Sequence, residues 1–277
     1  MTDYTDETLG ERMKRYEADF TDAEVDIYIP VFARMDGQAF HTFTKGMQRP
    51  FDGAMTDAMI ATTVDLVEHT GADVGYCQSD EITLAWNIDA AGGSQMWFGG
   101  KLFKLLSSLA SRTTLAFYKN INDGTDDYYY NADPTFDARV WNVPNLKEAT
   151  NVFLWRELDA TKNSATMLAS SYFSHKQLLN KSTQQRKEML LTKGVDWETL
   201  APKFQRGTYV TRKSVRRKLS LSEISSLPEK HEARMNPDME VVRWVCGPAE
   251  MPPLTSILNR TDVLFHGADP ITTQTLV

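Results

Sequence analysis

Residues 74 to 86 read VGYCQSDEITLAW, a β-rich run with two adjacent acids at its centre, and no other stretch constrains the fold as strongly. Val74, Tyr76, Ile82, Leu84 and Trp86 share one parity of a period-2 pattern, which predicts a buried sheet, and Asp80 falls on that same parity. A carboxylate does not enter a sheet core without compensation. A tight turn from Gln78 to Glu81 removes the conflict: it makes the run a hairpin, changes the face of every later residue and leaves Asp80 at the tip.

The flanking sequence alternates the same way. The acidic opening to Asp26 reads as a helix, with Leu9, Met13 and Tyr16 spaced by four and three. Val25 to Phe32 reads as a strand that ends at Asp36-Gly37, and QAFHTFTKGM turns into a short helix with Phe40 and Phe43 on one side. A longer helix spans about Asp52 to Glu68 and stops at HTGADVG. After the glycines at 99 and 100, KLFKLLSSLASRTTLAFYK is helical, and FDARVWNVP is a short strand closed by Pro144. From Leu146 the pattern stays helical to Phe173 and again from Ser182 to Leu191; in the turn-rich tail after Leu219, MEVVRWV fits a late strand or an edge addition. The expected fold class is α+β, a sheet with helices on one face.

The chain has 277 residues, 42% of them hydrophobic and 24% charged, enough for one large core or two modest ones. No apolar run reaches membrane-spanning length and the N-terminus is charged, so neither a span nor a secretory signal is expected, and a cytoplasmic location follows. Cys77 and Cys246 are isolated, which argues against zinc sites and disulfide scaffolds. The net charge of −7 conceals a segregation: residues 162–218 carry 13 Lys+Arg against 3 Asp+Glu, a block of +10. Interspersed with Tyr172, Phe173, Trp197, Phe204 and Tyr209, that block suits a phosphate-backbone surface, with Lys176, Lys181, Arg186, Lys187, Arg212, Arg216 and Arg217 as the contacts.

Asp36 ends the first strand and Asp80 lies in the next β element, so a β-α-β arrangement brings both carboxylates to one rim. Two close carboxylates repel unless a cation lies between them, and hard oxygen ligands with open positions suit Mg²⁺. Paired Mg²⁺ ions are the recurring apparatus of phosphoryl and nucleotidyl transfer. Gly37 lets the backbone approach a ligand, and QAFH offers consecutive N–H groups at a helix start for a triphosphate. Arg49, Lys101 and Lys104 supply counter-charge. Taken singly each has an ordinary explanation: Asp-Gly is a turn, Asp80-Glu81 a polar hairpin tip, His41 a half-buried helix residue and the lysines solvated. Only the joint pattern points to chemistry.

Five ordered motifs carry a more specific resemblance: RMDGQAFHTF at 34–43, GYCQSDEITLAW at 75–86, GGKLFKLLSSLAS at 99–111, FDARVWNVP at 136–144 and FLWRELDATKNSATMLA at 153–169. Together, from about Val25 to Lys213, they resemble the tRNA-histidine guanylyltransferase family, which includes the broader guanylyltransferase-like 3′-to-5′ polymerases. The resemblance implies a polymerase-type palm with a ferredoxin-like antiparallel sheet, here with a helical, basic C-terminal half. The chain reads as three regions: a palm-like catalytic domain at 1–145, a helical basic region for RNA and nucleotide at 146–218 and a C-terminal tail of unknown role at 219–277. The implied reaction adds GTP or other nucleotides to the 5′ end of tRNA, after ATP or GTP activates the 5′-phosphate, with two Mg²⁺ ions. A homo-oligomer, tetramer or dimer, is implied as well.

Carried over by residue, the resemblance makes Asp36 and Asp80 metal carboxylates, with the Gly37 carbonyl as a further ligand and Glu81 as the neighbouring acid. Gln38, Ala39, Phe40, His41 and Ser79 would surround the nucleotide. Arg49 and Asp52 match a basic-Pro-x-Asp element, and Lys101, Lys104 and Ser107 fall at phosphate-binding positions. Arg139, Asp159, Lys162 and Asn163 would approach the RNA 5′ end. Two positions depart from the pattern. Gln38 replaces the usual Arg after Asp-Gly, and Thr161-Lys162-Asn163-Ser164 stands where eukaryotic members carry a His-Ile-Asn-Asn type segment. The second resembles the bacterial, archaeal and viral-type branch, whose members tend to repair truncated tRNA 5′ ends. Two other readings share parts of this pattern: a palm-fold nucleotide cyclase, which needs no RNA surface, and a nucleotide- or RNA-binding module without turnover.

Overall fold

Pro30 sets where the first strand begins. It lacks an N–H, and the segment before it is held as a turn in which Asp26 accepts from the Tyr28 N–H at 2.9 Å and donates its own N–H to Asn142 Oδ1 at 3.0 Å. The strand expected from Val25 therefore starts at Val31, as β1 (Val31–Gly37). The computed structural model describes residues 7–88, 95–122, 132–236 and 238–273. In chain order α1 (Leu9–Thr21) precedes β1, and α2 (Phe40–Phe43) and α3 (Gly53–Thr70) follow it, before β2 (Val74–Gln78) and β3 (Glu81–Trp86). Then come α4 (Leu102–Asn122), β4 (Phe136–Asn142), α5 (Leu146–Ser170), α6 (His175–Leu178), α7 (Thr183–Leu191) and α8 (Pro202–Gln205). The chain continues with β5 (Thr208–Lys218), α9 (Leu221–Ser226), α10 (Glu232–Met235), β6 (Glu240–Ala249) and α11 (Arg260–Phe265).

The strands form one sheet in the order β4-β1-β3-β2-β5-β6, and every neighbouring pair is antiparallel. The expected α+β class holds. β2 and β3 are the expected hairpin, and the turn splits the apolar parity: Ile82, Leu84 and Trp86 join the core beneath α3 and α4, while Val74 and Tyr76 join the core on the opposite face. α3 lies directly on Gly75, where an added Cβ would stand 2.6 Å from Val67 and 2.8 Å from Thr63.

Helices cover both faces rather than one. On the second face α5 supplies Ala149, Phe153 and Ala160, and the segment after β6 supplies Met251, Leu254, Ile257, Val263 and Leu264 to the same core. Buried Glu157 of α5 fastens that segment, accepting from the Leu254 N–H at 2.9 Å and the Tyr209 hydroxyl at 3.0 Å. A smaller helical cluster gathers Leu168, Leu178, Leu190 and Trp197. The part expected to be helical as far as 218 ends instead in β5, because Thr208, Tyr209 and Val210 are β-formers that pair with β2. MEVVRWV becomes β6, the edge strand. Among the described residues no helix is long and apolar enough to cross a membrane.

Candidate active site

The β2–β3 turn has two central residues, Ser79 and Asp80, between the paired Gln78 and Glu81. Ser79 takes the left-handed φ of 51° that such a turn requires. Asp80 is thereby presented beside the end of β1, where its backbone carbonyl accepts the Gly37 N–H at 3.0 Å. A crossover does not bring Asp36 and Asp80 together. β3 lies between β1 and β2, and the hairpin turn reaches back to β1. Burial pushes the Asp80 pKa up, opposed by hydrogen bonds from its own backbone N–H and Ser79, and the nearby Asp36 charge raises it further.

Gly37 is obligatory. An added Cβ would stand 2.3 Å from the Phe40 ring, which turns back under the strand end to pack against Phe43, Phe117 and Phe136 at centroid distances of 5.0, 5.5 and 4.9 Å. Phe40 is thus first a core residue. The N–H groups expected to cradle a triphosphate are only partly free: the Gln38 N–H donates to the Thr135 carbonyl at 2.8 Å, and α2 is a single turn entered through Ala39 at φ 52°.

A cleft of about 660 Å³ opens over this rim. Asp36, His41, Arg49, Ser79, Asp80 and Glu81 line one side, and Asp159 and Asn163 of α5 line the other. Asp52 lines it too, with its carboxylate committed to the start of α3, accepting from the Met55 and Gln48 N–H groups at 3.0 Å each. Lys101 and Lys104 sit exposed at the start of α4 and are not in the cleft wall; Ser107, one turn on, lines a separate shallow depression with Thr135. Arg139 lies on β4, with Asp137 at 3.8 Å, and Lys162 is exposed on α5, both outside the cleft wall.

Glu81, expected as the acid neighbouring the metal carboxylates, is held by ion pairs. Its carboxylate is buried and clamped by Arg156 of α5, with Nε at 2.6 Å and Nη2 at 2.7 Å, and Arg34 Nε stands 3.8 Å away. Burial raises the Glu81 pKa while Arg156 and Arg34 oppose the rise. Arg156 Nη2 also reaches Asp159 at 3.1 Å, and the Asn163 amide donates to Asp159 at 3.3 Å, so one guanidinium ties the hairpin to the opposite wall. Arg156 was not singled out in the sequence, although Arg and Asp three apart in WRELD share one helix face. The register also sets Asp137 opposite Asp36, a third acid in the same row. The back wall, with Lys203, Phe204, Gln205, Gly207 and Thr208, reads in the sequence only as part of the basic block: Phe204 stacks on Phe51 at 5.2 Å, and Lys203 pairs with Asp57 at 2.6 Å.

Part of the basic block has internal work. Lys187 pairs with Glu198 at 2.8 Å and lies 3.3 Å over the Trp197 ring, Arg186 donates to the Thr166 hydroxyl at 2.6 Å, and Arg217 pairs with Glu223 at 2.6 Å. Lys176 and Lys181 are exposed.

The profile of the Thg1 family, tRNAHis guanylyltransferase, matches residues 10–144. An uncharacterised protein of Acanthamoeba polyphaga mimivirus is 29% identical over 187 residues, 60% of this chain and 64% of that protein. The tRNA(His) guanylyltransferase of Schizosaccharomyces pombe is 29% identical over 160 residues, 56% of this chain and 57% of that protein. The chain thus spans about three fifths of the length of the curated relatives it matches. Among solved structures, a bacterial tRNA(His) guanylyltransferase (Thg1)-like protein in complex with ATP superposes with a TM-score of 0.72 at 30% identity, covering 90% of this chain and 95% of that one. A bacterial Thg1-like protein in complex with GTP gives 0.68 at 27% identity, covering 94% and 98%. The tRNA(His) guanylyltransferase of Saccharomyces cerevisiae, at 22% identity and a TM-score of 0.62, covers 76% and 99% and shares the fold. With 30% identity sustained over nearly the whole of both chains, this protein belongs to the tRNAHis guanylyltransferase (Thg1) family.

Proposed function

We propose that this chain is a nucleotidyltransferase that adds GTP or other nucleotides to the 5′ end of tRNA in the 3′-to-5′ direction, after ATP or GTP activates the 5′-phosphate. The observation that carries this reading is the junction of Asp36 and Asp80 at one rim of a cleft large enough for a nucleotide. Relatives solved with ATP and with GTP support the choice of ligands. Thr161-Lys162-Asn163-Ser164, in place of the eukaryotic His-Ile-Asn-Asn type segment, favours 5′-end repair over guanylylation of a single tRNA.

The donor set fits Mg²⁺. Asp36 lies close enough to Asp80 for its charge to raise the Asp80 pKa, and two such carboxylates beside a backbone carbonyl are hard oxygen donors of the kind that suit an ion completed by water and phosphate oxygens, although among the described residues no group of three or more acids, histidines or cysteines is placed to hold a metal. Asp36, Gly37 and Asp80 would hold Mg²⁺, which when bound lowers the pKa of an attacking hydroxyl and stabilises a leaving phosphate oxygen. The protein's own contribution is positioning. The Ser79-Asp80 turn and Glu81 are fixed by Arg156, and Asp159 and Asn163 face the rim from α5, so that nucleotide and RNA end meet between them.

Incubating the protein with a 5′-shortened tRNA, Mg²⁺, ATP and labelled GTP tests the reading. A product longer by one or more nucleotides is expected, and absence of extension in every 5′-phosphorylation state overturns it. A cyclic nucleotide formed from GTP alone also overturns it, in favour of a cyclase.

A further inference from the structure

Arg206 stands behind the cleft wall. Gln205 and Gly207 on either side of it line the cleft, whereas its guanidinium turns away and donates from Nη2 to the Met251 carbonyl at 2.6 Å. Its own carbonyl accepts the Tyr76 hydroxyl at 2.7 Å. Gly207 takes a φ of 78°, and an added Cβ there would stand 2.5 Å from the Cys77 carbonyl and 2.7 Å from the Tyr76 hydroxyl. The wall therefore rests directly on β2, just ahead of the Ser79-Asp80 turn. Lys203 and Phe204 tie it to Asp57 and Phe51 around the start of α3, and Gln205 Nε2 donates to the Trp197 and Glu198 carbonyls at 3.0 Å each.

Met251 opens a segment that lines no part of the cleft. Residues 251–257 hold one short turn, Leu254–Ser256, and bury Met251, Leu254 and Ile257 in the core beneath α5. Three charged side chains from distant parts of the chain gather around it. Arg260 of α11 donates to the Leu254 carbonyl and, at 3.0 Å, to that of Thr255, while Glu157 of α5 accepts the Leu254 N–H at 2.9 Å. Arg206 and Arg260 both lie near enough to oppose the rise that burial imposes on the Glu157 pKa. Glu157 follows Arg156, so successive residues of α5 hold this segment and the hairpin that carries Asp80.

We propose that residues 251–257 brace the cleft and that Arg206 is a positioning residue for the bound nucleotide, passing the position of that segment to the wall; the inference rests on the proposed function. The wall cannot fix itself, because α8 is a single turn and Gly207 adds conformational freedom rather than removing it. Its place must be set from outside, and a misplacement of about 1 Å in groups that position a substrate costs on the order of 100-fold in rate.

The test measures GTP affinity by calorimetry and stability by urea titration for the wild type, Arg206→Met, Arg206→Lys and Leu109→Ala, the last a truncation of a buried α4 residue outside the cleft wall. Arg206→Met keeps most of the side-chain length without its donors and is expected to weaken GTP binding roughly tenfold. Arg206→Lys keeps a donor for the Met251 carbonyl and a charge beside Glu157, and should stay within about threefold of the wild type. Leu109→Ala should lower the urea midpoint and leave GTP affinity unchanged. Unaltered GTP affinity in Arg206→Met overturns the proposal, and so does an equal loss in Leu109→Ala, which reduces the contact to general stability. Amide hydrogen exchange of the wild type decides the matter even where Arg206→Met fails to fold. Coupling is reciprocal, so saturating GTP should slow exchange at residues 251–257 as well as at 203–208, and protection confined to the wall overturns the brace. A wild type that binds neither GTP nor ATP overturns it too. Because every readout is binding or exchange, a protein that behaves as expected yet extends no RNA removes the nucleotidyl-transfer reading alone.

Discussion

Arg156 closes a two-pronged ion pair on Glu81, Nε to Oε1 at 2.6 Å and Nη2 to Oε2 at 2.7 Å, and so joins the hairpin that presents Asp80 to the helix that faces it across the cleft. Both side chains are buried, which decides what removal of either should do. A buried ion pair adds little against an apolar pair of equal volume, but one half left alone is costly. Arg156→Ala is therefore expected to destabilise the protein by about 3–5 kcal/mol in urea titrations. Arg156→Lys should recover part of that stability and less of the activity, because an ammonium cannot make both bonds and also reach Asp159.

Asp36→Ala and Asp80→Ala are each expected to lower turnover by about 100-fold or more while leaving the melting temperature near or above that of the wild type. Neither carboxylate holds the fold together: Asp80 contributes a backbone carbonyl to Gly37, which alanine keeps. An active single variant, measured by RNA extension, would remove the metal assignment.

The same burial makes stability depend on pH in a stated direction. The Asp80 carboxyl has a folded pKa raised above its ordinary value, mainly by burial and then by Asp36, so the folded state holds the proton more tightly than the unfolded chain. Its stabilising contribution is complete below the unfolded pKa, about 3.9, and is lost as pH rises through the folded value. Asp80→Asn removes that loss. Denaturant midpoints of variant and wild type should lie closest in acid and separate with rising pH, the variant being the more stable at pH 7 without added Mg²⁺.

The hairpin and its acids were legible because period-2 patterning interrupted by Asp80-Glu81 has few other solutions. Asp36, Asp80 and His41 fall in the cleft for the same reason: a strand end, a turn tip and a helix start are local features. What escaped depends on partners distant in the chain. β5 was hidden because Arg212 to Lys218 read as charge rather than as a strand, and it is a strand only because β2 and β6 pair with it. The second covered face was hidden because Met251, Leu254 and Ile257 stand among prolines and turns, with no helical or strand period. Arg156 was passed over because nothing within α5 shows that its partner lies 75 residues earlier.

Gly37→Ala tests how far the rim depends on one missing side chain. The added methyl group would stand 2.3 Å from the Phe40 ring, and that ring, which borders the cleft, is packed against Phe43, Phe117 and Phe136, so it can yield only by disturbing that packing or the cleft wall. Overpacking of this kind costs about 1–3 kcal/mol, and the shift needed to relieve it moves the strand end that carries Asp36. The variant should lose stability by that amount and lose RNA extension far more than the stability change explains. Adding Phe40→Leu makes room for the methyl group, so the double variant should regain activity relative to Gly37→Ala even though Phe40→Leu alone opens a cavity. A strictly additive result in the double variant, in both urea midpoint and extension rate, would show that the glycine is there for some reason other than its contact with Phe40.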